Sequence, residues 1–270
     1  MTDLLTKKTA HLKDILRKME KVLIAYSGGV DSTYLLRMAI DTLGADKVLA
    51  VIAASETYPE HERLEAVGLC EALCANYLLI QTEEINDERF RSNPKERCYF
   101  CKRELFTRLK KIAEENGIEQ IADGSNADDL KDCRPGARAK NELGIRSPLQ
   151  EAGLTKAEIR SHSKELGLTT WDKPSYACLA SRIPYGTEIK PETLKRIENA
   201  EGFLRELGFG QLRVRDHGNL ARIELEPNDI HRIMNNRNMD QINRQFERLG
   251  YFYVTLDLKG YRTGSLNEVL

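Results

Sequence analysis

Lys21–Tyr34 reads KVLIAYSGGVDSTY. Val22-Leu23-Ile24-Ala25-Tyr26 is an unbroken apolar run, which predicts a buried strand, and Asp31 to Ile40 (DSTYLLRMAI) predicts a helix. Between them stands Ser27-Gly28-Gly29-Val30-Asp31-Ser32. Two adjacent glycines let the backbone turn tightly and approach a ligand with no Cβ in the way. The helix that follows opens with unpaired N–H groups and the positive end of its dipole, an arrangement suited to an anion. Ser27 and Ser32 add hydroxyl donors, and Asp31 can hold a divalent cation such as Mg²⁺ beside bound phosphates. The loop is shorter than GxxxxGK(S/T) and carries no lysine. An ordinary strand–turn–helix corner is the competing reading, and the positions of the serines and the acid weigh against it.

Outward from the loop, Leu4, Leu5, His11, Leu12, Ile15, Leu16 and Met19 fall near helical spacing and predict an amphipathic helix over 3–19. Val48 to Ala54 (VLAVIAA) predicts a second buried strand, 59–75 a helix, and Tyr77 to Ile80 a third strand. A helix over 102–116 leads to a strand at Glu119 to Ala122 and then to Asp123-Gly124-Ser125. This alternation implies right-handed βαβ units and a parallel sheet that binds ligands at its carboxyl edge. Ser27, Ser55 and Asp123 each follow a strand, so they are expected to gather on that edge as a ligand crevice, with Gly124 beside them.

From Ala127 the chain turns polar. Arg134-Pro135-Gly136 reads as a turn and Pro148 as the close of a short extended piece. A helix over 155–166 has Thr155 as N-cap, Glu158 three residues on, and Gly167 as C-cap. The stretch 169–186 reads as an ordered loop between domains. Beyond it, a helix over 191–207, strands at 211–215 and 220–225, a helical segment near 227–249 and a strand at 251–257 predict a small α+β unit. The expected division is 1–173 and 174–270.

The 270 residues suffice for one sizeable domain and a smaller one. Lys+Arg at 41 against Asp+Glu at 42 removes the charge footprint of a general nucleic-acid binder. No apolar run approaches the roughly 18 residues of a membrane span, and MTDLLTKKTAHLKDIL lacks the apolar core of a secretory signal. Six cysteines without an export signal suggest a reducing cytoplasm, where close pairs more often mean metal or redox chemistry than disulfides. Cys98-Tyr99-Phe100-Cys101 opens a helix and can supply two ligands to one metal or cluster; a zinc half-site, a redox pair and chance spacing stay open. Cys70 and Cys74 share a helix with apolar positions and read as core residues. Cys178 lies in PSYACLASRIPYG, among turn residues, with Arg182 able to hold an anion. Three cysteines, two adjacent and one distant, suit a 4Fe–4S cluster with one iron lacking a protein ligand; the competing reading of Cys178 is a buried thiol.

SGGVDS after a strand resembles the signature loop of the PP-loop (N-type) ATP pyrophosphatases, which split ATP between the α- and β-phosphates and transfer AMP. With RPGARAKNE (134–142), PSYACLASRIPYG (174–186), LRVRDHGNLARIEL (212–225) and YVTLDLKGYRTGS (253–265), nearly the whole chain is similar to the LarE family of sulfur transferases. The resemblance implies an α/β fold: a parallel-sheet PP-loop, adenine nucleotide alpha hydrolase-like domain with a smaller C-terminal α+β domain for substrate binding and oligomerisation. It implies that ATP adenylates a carboxylate of pyridinium-3,5-biscarboxylic acid mononucleotide, and that sulfur then displaces AMP to give a thiocarboxylate. The product belongs to the nickel-pincer nucleotide of lactate racemase.

By the same resemblance Ser27, Gly28, Gly29, Asp31, Ser32, Ser55 and Gly124 bind ATP with Mg²⁺, and Asp31 and Cys178 are catalytic. Sacrificial members spend the sulfur of the cysteine matching Cys178 and lack the CxxC. The three-cysteine members use Cys98, Cys101 and Cys178 for a 4Fe–4S cluster whose additional sulfide is the donor, resupplied by a sulfide source. Arg213 and Arg215, sharing one strand face, match the arginines that hold the substrate phosphate; a solvated edge strand is the alternative. Ser181 and Glu201 match other positions near that pocket, and Arg182 is added to them. A further acidic metal contact has no clear counterpart at 227–231. A homo-oligomer, a hexamer in the family, is implied, with neither nucleic acid nor membrane as partner. The competing functions are a PP-loop tRNA thiolation enzyme, sacrifice of Cys178, an iron–sulfur scaffold that binds ATP only as a regulator, and a zinc-containing amide ligase.

Overall fold

The computed structural model describes residues 3–131, 135–174, 177–262 and 265–266. Cys133 and Arg134 of the polar stretch, and Ser175 and Tyr176 of the cysteine motif, lie outside the described residues. In chain order the elements are α1 (Asp3–Met19), β1 (Val22–Tyr26), α2 (Val30–Leu43), β2 (Val48–Ala54), α3 (Glu60–Ala72), β3 (Asn76–Gln81), α4 (Glu88–Arg91), α5 (Arg97–Glu115), β4 (Gln120–Asp123), α6 (Pro135–Glu142), α7 (Pro148–Glu151) and α8 (Lys156–Glu165). Then follow α9 (Pro191–Glu206), β5 (Leu212–Asp216), β6 (Leu220–Leu225), α10 (Pro227–Ile233), α11 (Asn236–Arg248) and β7 (Tyr253–Leu256). They form two compact units: Met1–Asp87 with Glu96–Tyr176, and Glu88–Lys95 with Ala177–Leu270.

In the first unit four parallel strands run in the order β3-β2-β1-β4. Successive residues of a strand face opposite sides, so the apolar run of β1 serves two cores. Val22, Ile24 and Tyr26 join Leu12, Leu16, Leu35 and Leu36 of α1 and α2. Leu23 joins Phe106 and Leu109 of α5 on the other face. The register pairs Ala25 with Asp123 and Tyr26 with Ile52, so the loops after β1, β2 and β4 leave from the same edge. That register is what places Ser27, Ser55 and Gly124 near one another. β3 closes the other side as an exposed edge strand, with Tyr77, Leu78 and Leu79 all open to solvent.

Two prolines read as punctuation act differently. Pro135 and Pro148 open α6 and α7, because a residue with no N–H and a preset φ costs nothing at the first helical position. Thr155 and Glu158 do form the expected capping box, and Gly167 takes a left-handed φ of 71° beyond α8. The helix carrying the paired cysteines begins at Arg97, ahead of its apolar periodicity.

The second unit is an antiparallel hairpin, β5 with β6, extended by β7 parallel to β6. Val214, Ile223 and Leu225 pack with Ala200 and Leu204 of α9 and Phe246 of α11. Residues 88–95 belong here rather than with the elements on either side of them in sequence. Asn93, fully buried at a φ of 55°, donates its side-chain amide to the carbonyls of Pro184 (2.8 Å) and Thr187 (3.0 Å). Its own carbonyl accepts from the Gly186 N–H at 2.9 Å.

One buried histidine ties the stability of the first unit to pH. His162 Nδ1 lies 2.7 Å from the Tyr34 hydroxyl, and burial lowers its pKa from 6.5. Below that value the unfolded chain binds a proton that the folded chain refuses, so stability falls as pH drops from about 6.5 towards the folded pKa. Denaturant unfolding across this window is expected to show a steeper loss in the wild type than in His162→Gln; parallel curves would refute the coupling.

Candidate active site

The turn after β1 is held by short-range bonds that leave the amino end of α2 without a side-chain cap. Gly29 is the N-cap and supplies no side-chain acceptor, so the first-turn N–H groups face outward from the helix end. The Ser32 hydroxyl donates to the Gly29 carbonyl (3.2 Å), and the Ser27 hydroxyl lies 3.0 Å from it. Tyr58 Oη donates to the Ser27 carbonyl at 2.6 Å. Two glycines are required by packing. At Gly28, with φ of 64°, an added Cβ would sit 2.8 Å from Ala66 Cβ on α3. At Gly124 it would sit 2.9 Å from the Ser32 nitrogen, so the turn after β4 is pressed onto the first turn of α2. Ser55 belongs to a neighbouring network in which Thr57 donates to Glu84 at 2.7 Å and Ser55 lies 2.9 Å from Thr57. Asp123 accepts from Ser147 (2.6 Å) and Ser125 (2.7 Å), and buried Lys140 donates to Ser147 at 2.8 Å.

Asp31 lies in this cradle. Burial raises its carboxyl pKa, opposed by the Lys156 ammonium 2.6 Å from Oδ2. Its Oδ1 is buried and has no hydrogen-bond partner among the described residues. An oxygen left unsatisfied beside an uncapped helix end fits a divalent cation held next to an anion. Lys173 reaches the same turn from the opposite direction, 3.3 Å from the Gly28 carbonyl, 2.7 Å from Glu62 and 3.0 Å from Glu65. Sequence reasoning missed Tyr58, Lys156 and Lys173. Lys156 alone carried a signal, a cation in the first turn of a helix where the dipole favours an acid.

The cysteines fall in both units. Cys98 is exposed and Cys101 partly buried in the opening turns of α5; Cys178, partly buried, is the N-cap of a 3₁₀ turn, Leu179–Arg182, in the second unit. Among the described residues no three His, Cys, Asp or Glu side chains are gathered as a metal site within either unit. Exposed and half-exposed thiols are the donor type that suits an iron–sulfur cluster. Cys70 is a core residue whose thiol burial pushes up to about 12.

The turn at Cys178 is fastened from beneath. Arg182 is fully buried and forks onto Glu201, Nε to Oε1 at 2.8 Å and Nη2 to Oε2 at 2.9 Å. Its Nη1 donates to the carbonyls of Ala177 and Cys178, the latter at 3.0 Å, and to Ser181 Oγ at 3.1 Å. Glu201 also accepts from the Val214 N–H (3.0 Å) and Arg205 (3.0 Å). Burial alone would raise its pKa, yet the charge of Arg182 and its hydrogen bonds bring it down to about 2. Arg215 forks onto Glu224 at 2.9 and 2.8 Å and donates to the Ser181 carbonyl at 2.7 Å. Arg213 stacks over Tyr261, 5.0 Å from the ring centre. Both arginines are buried, so β5 is no solvated edge.

Known proteins extend this geometry. A NAD synthase family model matches residues 4–116, the stretch containing the loop. An uncharacterised Synechocystis protein is 43% identical over 267 residues, covering 99% of each chain. The pyridinium-3,5-bisthiocarboxylic acid mononucleotide synthase of Lactiplantibacillus plantarum is 41% identical over 270 residues, 100% of this chain and 97% of that protein. The chain belongs to that synthase family. An uncharacterised Methanocaldococcus jannaschii protein, 35% identical over 260 residues with 95% and 98% of the two chains covered, extends the likeness to an archaeon. Within the synthase family likeness, both units of this chain are covered, the loop and the arginine-bearing hairpin alike.

Two acids, Asp31 partly buried and Glu201 fully buried, are expected to respond oppositely to neutralisation. Burial penalises the charged form of Asp31 more than its neighbours favour it and so raises its pKa, and Asp31→Asn, which removes that penalty, is expected to raise Tm. Glu201→Gln leaves Arg182 buried beside a neutral amide and is expected to cost about 3–5 kcal/mol. Calorimetry at neutral pH checks both; the same sign for the two variants would contradict this account.

Proposed function

We propose that this chain is an ATP-dependent sulfur transferase, a pyridinium-3,5-bisthiocarboxylic acid mononucleotide synthase of nickel-pincer nucleotide formation. The observation that carries the reading is full-length identity of 41% to a synthase of that name. The uncapped amino end of α2 after β1, with its serines and Asp31, supports a nucleotide role for the first unit.

In this reading the triphosphate lies against the SGGVDS turn, bound by the first-turn N–H groups of α2 and by Ser27 and Ser32. Gly28, Gly29 and Gly124 keep the backbone close, Ser55 borders the crevice, and Asp31 would hold Mg²⁺ through its unsatisfied Oδ1. A substrate carboxylate oxygen bonds to the α-phosphorus as pyrophosphate leaves. The resulting acyl adenylate is open to sulfur because AMP is a far better leaving group than oxide. Sulfur bonds to the acyl carbon, the bond to AMP breaks, and a thiocarboxylate remains. Cys98, Cys101 and Cys178 would hold a 4Fe–4S cluster, which with an additional sulfide supplies the sulfur nucleophile when bound. Arg213 and Arg215 serve the mononucleotide phosphate with Ser181, while Arg182 and Glu201 act from the interior by fixing the Cys178 turn. No helix among the described residues is long and apolar enough to cross a membrane, and a cytoplasmic setting suits the thiols.

Anaerobically reconstituted protein, given ATP, Mg²⁺ and the pyridinium dicarboxylate mononucleotide, is expected to form more than one thiocarboxylate per chain with Cys178 intact by mass. Loss of one sulfur from Cys178 per product would replace the cluster route with sacrifice of that residue. Cys98→Ala, Cys101→Ala and Cys178→Ala are each expected to abolish sulfur transfer and cluster assembly; four irons retained after Cys178→Ala would overturn the ligand set. Pyrophosphate release stimulated by tRNA but not by the pyridinium compound would overturn the substrate.

A further inference from the structure

The SGGVDS turn has no lysine of its own, and its N–H groups and hydroxyls offer a triphosphate only dipoles. The fold brings two lysines to it from distant segments. Lys173 is committed: its three N–H bonds are matched by Glu62, Glu65 and the Gly28 carbonyl at 2.7, 3.0 and 3.3 Å. Lys156 is different. Among the described residues its ammonium meets a single acceptor, Asp31 Oδ2 at 2.6 Å, and its side chain keeps 28% of its surface exposed.

Its place in the chain adds to the case. Lys156 is the first residue of α8, where a positive charge opposes the helix dipole, and its backbone N–H is already taken by Asp128 Oδ2 at 2.8 Å. Nothing in α8 calls for a cation there; Asp31 does. Yet that pairing engages Oδ2 alone and leaves Asp31 Oδ1 buried with no hydrogen bond among the described residues, so the acid is only half-satisfied.

We propose that Lys156 is the phosphate-binding lysine of this loop. Resting on the ATP reading above, the ammonium is parked on Asp31 until a nucleoside triphosphate enters, then turns to the β- and γ-phosphates and leaves Asp31 for the divalent cation. A triphosphate brings about four negative charges and a divalent cation cancels two, so with Asp31 alone the site would hold roughly three in excess; Lys156 removes one of them. A flexible four-carbon stem with three rotatable donors can make that exchange without moving the backbone. Because AMP lacks the β- and γ-phosphates, Lys156 contributes to triphosphate binding and not to AMP binding.

Isothermal titration of the full chain with AMP and with a non-cleavable α,β-methylene analogue of ATP, in Mg²⁺, tests this. Lys156→Met is expected to weaken the analogue about tenfold or more while AMP stays within about twofold of wild type. Lys156→Arg is expected to recover most of the loss and to keep Tm near wild type, whereas Lys156→Met leaves Asp31 without its cation and is expected to lower Tm, with retained AMP binding showing that the fold is intact. Equal weakening of both nucleotides by Lys156→Met, or weakening of neither, would overturn the assignment. A wild-type chain that binds neither nucleotide would instead overturn the ATP reading on which it rests.

Discussion

A carboxylate sunk at the amino end of a helix is the constraint around which the first unit is arranged. Asp31 is favoured there by the dipole of α2 and disfavoured by burial, and burial dominates enough to raise its pKa. The chain answers with Lys156, carried across from α8, and leaves one oxygen unmatched. Neighbouring segments pack closely against the turn that carries the carboxylate. Gly28 lets α3 close in, Gly124 lets the turn after β4 press on the helix start, and Tyr58 and Lys173 fasten the carbonyls of Ser27 and Gly28. Close packing thus surrounds a group that remains electrostatically unfinished.

The second unit resolves its charges differently. Arg182 with Glu201, and Arg215 with Glu224, are forked pairs in which buried carboxylates take two N–H bonds from one guanidinium. Desolvating such pairs is expensive, and apolar residues of equal volume would often be no less stable. Their value lies in direction. Arg182 ends on the carbonyl of Cys178 and Arg215 on that of Ser181, so the two pairs together fix the short turn that presents the thiol.

Much of this was legible in the chain. The apolar run at Val22–Tyr26 implied a strand buried on both faces, and the structure divides its side chains between two cores. The capping box at Thr155 and Glu158 was readable because both halves of it are local. Pro135 and Pro148 were misread because proline punctuates turns and opens helices with the same φ; only the residues that follow decide. Lys156 and Lys173 could not be found by spacing, since their partners lie 125 and 145 residues away. The burial of Arg213 and Arg215 was hidden for a related reason: alternation places both on one face of a strand but does not say that Glu224 and Tyr261 will cover it.

The assignment of residues 88–95 to the second unit alters how the protein can be divided. The chain passes from the first unit to the second, back, and across again, and Asn93 waits for carbonyls 91 and 94 residues further on. A nascent chain that has completed β3 and α5 therefore holds a buried-type asparagine with nothing yet to bury it. For the same reason no single recombination point exchanges one unit for another: a crossover near residue 176 would import a second unit whose clasp had been left behind in the donor gene. The two halves are bound to descend together.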